Sequence, residues 1–208
     1  MPDDLANMSC ADFAAELAAK QPVPGGGGAA ALVGALGVAL CSMVGNYTVG
    51  KKIYAAVEDD VQRMLADAEA VRLRLIDLVA EDASAFLPLS QAYGIPQDDP
   101  TRAATLEAAT RKACKAPYEM MVEIAKSIEL LEEMGEKGSK MLVSDVGCGA
   151  LFARAALEAA SMNVFVNTGS YRCSAWAEEL EAACDALLAA YVPRAEACAA
   201  SALSRIHA

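Results

Sequence analysis

PVPGGGGAAALVGALGVALCSMVGNYTVGKKIY, residues 22–54, decides what kind of fold this chain builds. No charged side chain interrupts the sequence between Lys20 and Lys51, and Ala29 to Val49 alone is long enough to cross a bilayer. The stretch nevertheless opens on four glycines, carries Ser42, Asn46, Tyr47 and Thr48, and is flanked by amphipathic segments. It reads as the central buried helix of a soluble bundle, from about Gly27 to Gly50, with a membrane span as the alternative. Gly34, Gly37 and Gly45 leave room on that helix for other backbones to come close.

Working outward, Ser9 with Asp12 three residues on starts a short helix that reaches about Lys20. A third helix is expected from about Ala56 to Tyr93. Its apolar stripe reads Val57, Val61, Met64, Ala68, Val71, Leu75 and Leu78, then Ala85 and Leu89, the spacing of one helix face. Gly94 and the segment Pro96 to Pro100 end it. A fourth helix runs from about Thr101 to Met134, bent near Pro117, which lacks a backbone donor. A fifth spans about Ser139 to Asn167, with disturbance expected at Gly147 and Gly149; a sixth spans about Tyr171 to Arg205, kinked at Pro193. Nothing alternates with period two. The expected fold is therefore all-α, an elongated up-and-down bundle of about six helices forming one domain over residues 1–208. Such a protomer leaves apolar surface uncovered, so a homodimer or larger assembly through the long helices is expected.

Composition agrees. Of the 208 residues 55% are hydrophobic but only 5% aromatic, so alanine, the best helix former, supplies much of the core. A net charge of −11 excludes a nucleic-acid partner, which needs clustered Lys and Arg, and gives no attraction to anionic membranes. Seven cysteines without a CxxC pair, behind an acidic N-terminus that does not resemble a signal peptide, read as reduced and cytoplasmic. With His207 the only histidine, neither a metal site nor a His-based triad is expected.

Several positions break the pattern. Asp82 falls inside the apolar stripe of the third helix, whereas Asp77 and Glu81 lie outside it. A buried carboxylate either pairs with a Lys or Arg as a structural ion pair or acquires a raised pKa suited to proton transfer. Asn163 and Asn167, four apart, project side by side from the fifth helix, either to cross-link helices or to present donors and acceptors to a ligand. Asp145 lies 18 residues before Asn163, roughly 27 Å of helical rise, too far to share a pocket with it in one straight helix. It serves another part of a long ligand, or the same site from a second protomer, or caps a break at Gly147. Gly25, Gly26 and Gly27 open the second helix with backbone amides able to meet an anion, but no strand precedes them and the Lys-Ser/Thr of a nucleotide loop is missing. Lys51 and Lys52, at the other end of that helix, complement its dipole or hold a ligand carboxylate.

Taken together, residues 22–54, LVAEDASAF (78–86), SDVGCGALFARAALEAASMNV (144–164) and NVFVN (163–167) resemble the cyclodeaminase domain of formiminotransferase-cyclodeaminase and the stand-alone methenyltetrahydrofolate cyclohydrolases related to it. The similarity covers nearly the whole chain in the same order. It departs after the second asparagine, where Leu is expected and Thr168 and Gly169 stand, so the following loop is expected to differ. The resemblance implies an all-helical homodimer with folate bound between helices near the subunit interface, and no cofactor beyond the folate substrate itself.

Chemistry then assigns provisional roles. Opening the cationic one-carbon bridge of 5,10-methenyltetrahydrofolate needs water, a base for its proton and an acid for the departing nitrogen. Asp82 and Asp145 are the catalytic candidates. Gly25, Gly26, Gly27, Lys51, Lys52, Asn163 and Asn167 are the substrate-binding candidates, the asparagines for the amide-like pterin edge and the lysines for the glutamate tail. No formiminotransferase-like segment accompanies them, so cyclohydrolase activity is expected; formiminotetrahydrofolate cyclodeaminase is the alternative, and a non-enzymatic helical module a third reading.

Overall fold

The computed structural model describes residues 2–208, and all regular structure among them is helical. Seven α-helices follow one another: α1 (Cys10–Ala18), α2 (Gly26–Asn46), α3 (Glu58–Ala92), α4 (Arg102–Ala113), α5 (Lys115–Lys137), α6 (Val143–Thr168) and α7 (Ala175–His207). Short 3₁₀ turns at Pro2–Asn7, Lys52–Val57 and Lys140–Leu142 lead into α1, α3 and α6. Ser9 caps α1 as expected, its hydroxyl oxygen accepting the Asp12 amide at 3.1 Å.

The apolar stretch is the bundle's central helix. α2 packs against α3, α5 and α6, and Ala31, Val38, Cys41 and Val44 on it are fully buried. It and the Lys140–Thr168 segment are long and apolar enough to span a membrane, but more than half of the α2 stretch is buried by protein. The stripe read for α3 is the buried one: Val61, Met64, Ala68, Val71, Leu75, Leu78, Ala85 and Leu89 all lie in the core. Val57 is the exception, only half-buried and placed just before the helix.

Pro117 acts differently from expectation. The predicted fourth helix is two helices, α4 and α5, that meet at Cys114. Pro117 carries no N–H for the Ala113 carbonyl, so the break falls at Cys114 and Pro117 sits in the first turn of α5, where a missing donor costs little. Pro88 and Pro193 lie inside α3 and α7 without ending either helix.

Gly147 and Gly149 do not disturb α6; they let it touch its neighbours. A Cβ on Gly149 would stand 2.9 Å from the Gly37 carbonyl oxygen and 2.7 Å from a Leu131 methyl, and one on Gly37 would stand 3.1 Å from the Gly149 carbonyl oxygen. The α2 and α6 backbones therefore pack in direct contact. Their run is antiparallel: Gly26 lies against Asn163 at one end, and the Ser139 amide donates to Thr48 Oγ1 at the other.

Gly149→Ala tests that contact. Alanine gains roughly 1 kcal/mol of helix propensity, but a backbone oxygen cannot yield as a side chain does, and overpacking of this kind costs about 1–3 kcal/mol. The expected net result is a loss of stability in chemical denaturation, opposite in sign to the propensity change.

Candidate active site

Where the N-terminus of α2 meets the C-terminal half of α6, the helices leave a cavity of about 180 Å³. It is lined by the loop residues Pro22 and Val23, by Gly25, Gly26 and Gly27, by Asp82 and Phe86 of α3, by Ala113 and Pro117 at the α4–α5 junction, and by Asn163, Val166 and Asn167 of α6. Six of the nine site residues expected from sequence are thus brought together.

Asp82 reaches this cavity because it occupies a stripe position between Leu78 and Ala85, opposite the first turn of α2. A Cβ on Gly27 would fall 2.5 Å from Asp82 Oδ2 and 2.6 Å from Oδ1. The space that a side chain would fill at Gly27 is filled by the carboxylate. Glycine is required there to admit Asp82, a more specific reason than close approach to a ligand.

The anion that meets the opening amides of α2 is therefore the protein's own. Burial pushes the Asp82 carboxyl from the ordinary carboxylate range up to about 6, while a hydrogen bond from the Gly28 amide opposes the shift. No Lys or Arg contributes, so the ion-pair reading of Asp82 does not hold. The neighbouring Glu81 behaves as expected of a surface group and pairs with Arg74.

Asn163 donates from Nδ2 to the Ala159 carbonyl at 2.8 Å, a bond back along its own helix that leaves Oδ1 to accept from a ligand. Gly26 sits within van der Waals reach of the same amide group, where a Cβ would be 3.5 Å from either terminal atom. Asn167 lines the cavity one turn further on. The cavity thus offers one carboxylate, two amide side chains and, in Phe86, Val23, Val166 and the prolines, an apolar wall.

Asp145, Lys51 and Lys52 lie elsewhere. Asp145 stands in the first turn of α6 and the lysines follow the far end of α2, about 30 Å from the cavity along either helix. Lys51 lies 6.0 Å from the centre of the Tyr47 ring, and both lysines are exposed. Of the cavity lining, the sequence reading did not assign Pro22, Val23, Phe86, Ala113, Pro117 and Val166 to the site, nor the Gly28 amide that meets Asp82. Phe86 is four residues beyond Asp82 and shares its face, a signal that spacing carried; the others needed the packing of separate helices.

The depressions at least twice as large hold none of these groups. One of about 520 Å³ between α3 and α5 is lined by charges that already satisfy one another, such as Arg63 with Glu133 and Lys126 with Glu123. Another, of about 400 Å³ between α6 and α7, is apolar apart from Arg154, Glu196 and Ser144. No three His, Cys, Asp or Glu side chains cluster as metal ligands among the described residues. Burial raises the Cys41 and Cys184 thiols to about 12 and those of Cys114 and Cys198 to about 11, so these four remain protonated hydrophobes.

Residues 9–186 match the family model described as formiminotransferase-cyclodeaminase. The chain is 39% identical over 187 residues to the methenyltetrahydrofolate cyclohydrolase of Methylorubrum extorquens, covering 88% of this chain and 90% of that protein. It is 30% identical over 167 residues to the mouse formimidoyltransferase-cyclodeaminase, covering 78% of this chain but 31% of that longer protein. Among solved structures, the formiminotetrahydrofolate cyclodeaminase of Thermotoga maritima superimposes with a TM-score of 0.81 over 96% of both chains, at 28% identity.

A half-buried carboxylate without a cationic partner destabilises the fold whenever it is charged. The sign follows from its raised pKa: the folded state holds the Asp82 proton more tightly than the unfolded chain, so stability is greatest below about pH 4 and falls as pH rises through about 6. Asp82→Asn is expected to raise the unfolding free energy at pH 7.5 by about 1–2 kcal/mol, and the advantage should vanish by pH 4. Thermal denaturation of both proteins at the two pH values measures this.

Proposed function

The chain belongs to the formiminotransferase-cyclodeaminase family, and on that premise we propose that it hydrolyses the methenyl bridge of 5,10-methenyltetrahydrofolate to give 10-formyltetrahydrofolate. The observation that carries the reading is Asp82: a carboxylate held near the operating pH, without a cation beside it, in a cavity whose other polar groups are neutral amides. The substrate's bridge carbon bears a positive charge spread over two nitrogens. Ionised Asp82 stabilises that cation and takes the proton of the water that attacks its carbon, after which the ring nitrogen departs. Asn163 and Asn167 hold the pterin edge, and Phe86 and the prolines give its ring apolar contact.

Size supports a site completed by a second copy. A cavity of about 180 Å³ is below the ~300–1,000 Å³ usual for drug-sized ligands, so it admits only the reacting end of a folate. Val166 both lines the cavity and is 75% exposed, and Leu36, Phe152 and Met162 on the same two helices are also exposed. A homodimer that buries these residues, with its partner's α2 and α6 running the opposite way, would bring the other ends of those helices toward the open rim. On this reading Lys51 and Lys52 receive the glutamate tail, and Asp145 supplies the second carboxylate, as acid to the departing nitrogen. The protein then works as a soluble, cytoplasmic homodimer that needs no cofactor besides its folate substrate.

Cyclodeamination of 5-formiminotetrahydrofolate is the second reading, favoured by the solved structure that the chain superimposes on. The 39% identical relative, matched over 90% of its length, favours hydrolysis.

Loss of the methenyl chromophore with purified protein tests the assignment. Asp82→Asn is expected to lower kcat by ~10²–10⁴-fold, and wild-type kcat/KM should fall as pH drops through about 6, where the base is protonated. A wild-type rate equal to buffer, or ammonia release from the formimino substrate that outpaces methenyl hydrolysis, would overturn it. At low substrate, mixing Asp82→Asn with a Lys51→Ala/Lys52→Ala variant should give more activity than the two measured apart, because hybrid dimers contain one intact composite site.

A further inference from the structure

The last turn of α6 presents Asn167 to the cavity, yet that turn is held from outside the cavity. Thr168, the next residue, is fully buried. Its hydroxyl donates to the Glu181 carboxylate on α7 and also lies 3.3 Å from the Phe165 carbonyl oxygen. Among the described residues, this is the one side-chain hydrogen bond that ties the last turn of α6 to α7. The polypeptide turns sharply just beyond it, with the Tyr171 amide bonded to the Thr168 carbonyl at 2.7 Å.

The start of α7, which leads to Glu181, is itself held by contacts to the preceding loop and to α4. Trp176, one turn before Glu181, packs its ring 5.4 Å from that of Tyr171. The Arg111 guanidinium of α4 covers the Trp176 ring at 4.6 Å, two residues before Ala113, which lines the cavity. α4, α7 and the end of α6, which carries Asn167, are therefore connected through Arg111–Trp176 and Thr168–Glu181. A threonine hydroxyl buried at this point has no role in apolar packing; a valine would fill the same volume. What it adds is a directional bond to an ionised acceptor, stronger than a neutral one.

We propose that Thr168 and Glu181 are positioning residues that set the placement of Asn167, and through it the affinity of the cavity for its folate. The inference rests on the folate reading given above. The Asn167 side chain makes no hydrogen bond among the described residues, so it depends on the helical turn for its direction. An error of an ångström in such a group costs up to about a hundredfold. Because an asparagine that binds the pterin acts on ground and transition states alike, its misplacement raises KM and leaves kcat largely unchanged.

The test compares wild type with Thr168→Val, Thr168→Ser, Glu181→Gln, Asn167→Ala and the Thr168→Val/Asn167→Ala double variant, by steady-state kinetics on methenyltetrahydrofolate. Binding of 5-formyltetrahydrofolate is followed in parallel through Trp176, the chain's only tryptophan. Thr168→Val should raise KM and Kd by roughly tenfold or more, and Glu181→Gln, whose amide oxygen still accepts the hydroxyl, by a smaller factor. Thr168→Ser, which keeps the hydroxyl, should remain close to wild type. The double variant should bind no worse than Asn167→Ala alone, because the tether acts through that side chain. Wild-type KM and Kd in Thr168→Val, or effects that multiply in the double variant, would show that the bond only holds helices together and would overturn the proposal. A wild-type protein that neither turns over nor binds a folate would instead defeat the folate reading, and this inference with it.

Discussion

The structure depends on one close contact, that of the α2 and α6 backbones at Gly37 and Gly149. Two helices can touch this closely only where neither has a Cβ. The crossing therefore fixes their separation and, because the pair is antiparallel, fixes which ends meet. The N-terminus of α2 comes beside Asn163 and the C-terminus of α2 beside Ser139. The candidate site is a consequence. It forms where the tightly packed pair ends, and where the loop before α2 and the junction of α4 and α5 leave room.

At that end a second constraint of the same kind operates. Gly27 gives up its side chain so that Asp82 can enter, and the amide of Gly28 then faces the carboxylate. Two opposing terms act on the same group. Desolvation raises the pKa and the α2 amide lowers it, with desolvation the larger. An arginine in place of this balance would make Asp82 a strong ion pair with a low pKa, useless as a base near neutrality. A wholly apolar cradle would leave it protonated and neutral, unable to steady a cation. The helix terminus supplies enough stabilisation to keep the group ionised at neutral pH without making it inert.

Much of this was legible in the sequence, for particular reasons. The stripe of α3 follows from 3.6-residue spacing alone, and Asp82 is conspicuous because every other member of that stripe is apolar. Asn163 and Asn167 share a face by the same arithmetic. Periodicity fails where a residue's effect depends on another segment. Pro117 reads as a kink, yet lies harmlessly in a first turn because its missing donor breaks the helix at Cys114. The glycines of α6 read as weak points, and their role is visible only once α2 and Leu131 are placed against them. The grouping of Lys51, Lys52 and Asp145 with Asp82 came from chemistry and resemblance. The helix lengths separate them within one protomer, so their roles pass from the fold of a chain to the assembly of two.

The position of the cavity reflects a conflict between packing and chemistry. Where α2 and α6 cross, glycine and alanine bring the backbones into contact, and the larger side chains of α3 and α5, among them Leu75, Met120, Ile124 and Leu131, are fully buried around them. Cutting a cavity there would forfeit the contacts that hold α2 to α3, α5 and α6. At the helix ends the same residues can part with little loss, and the first amides of a helix, which have no partners inside it, are free to meet a buried acid. Hydrolysis needs a small volume that admits water to a cation beside a poised carboxylate. In this architecture helix ends alone provide both the volume and the unpaired amides, so the bulk of a long substrate must lie outside, across the exposed face of α2 and α6.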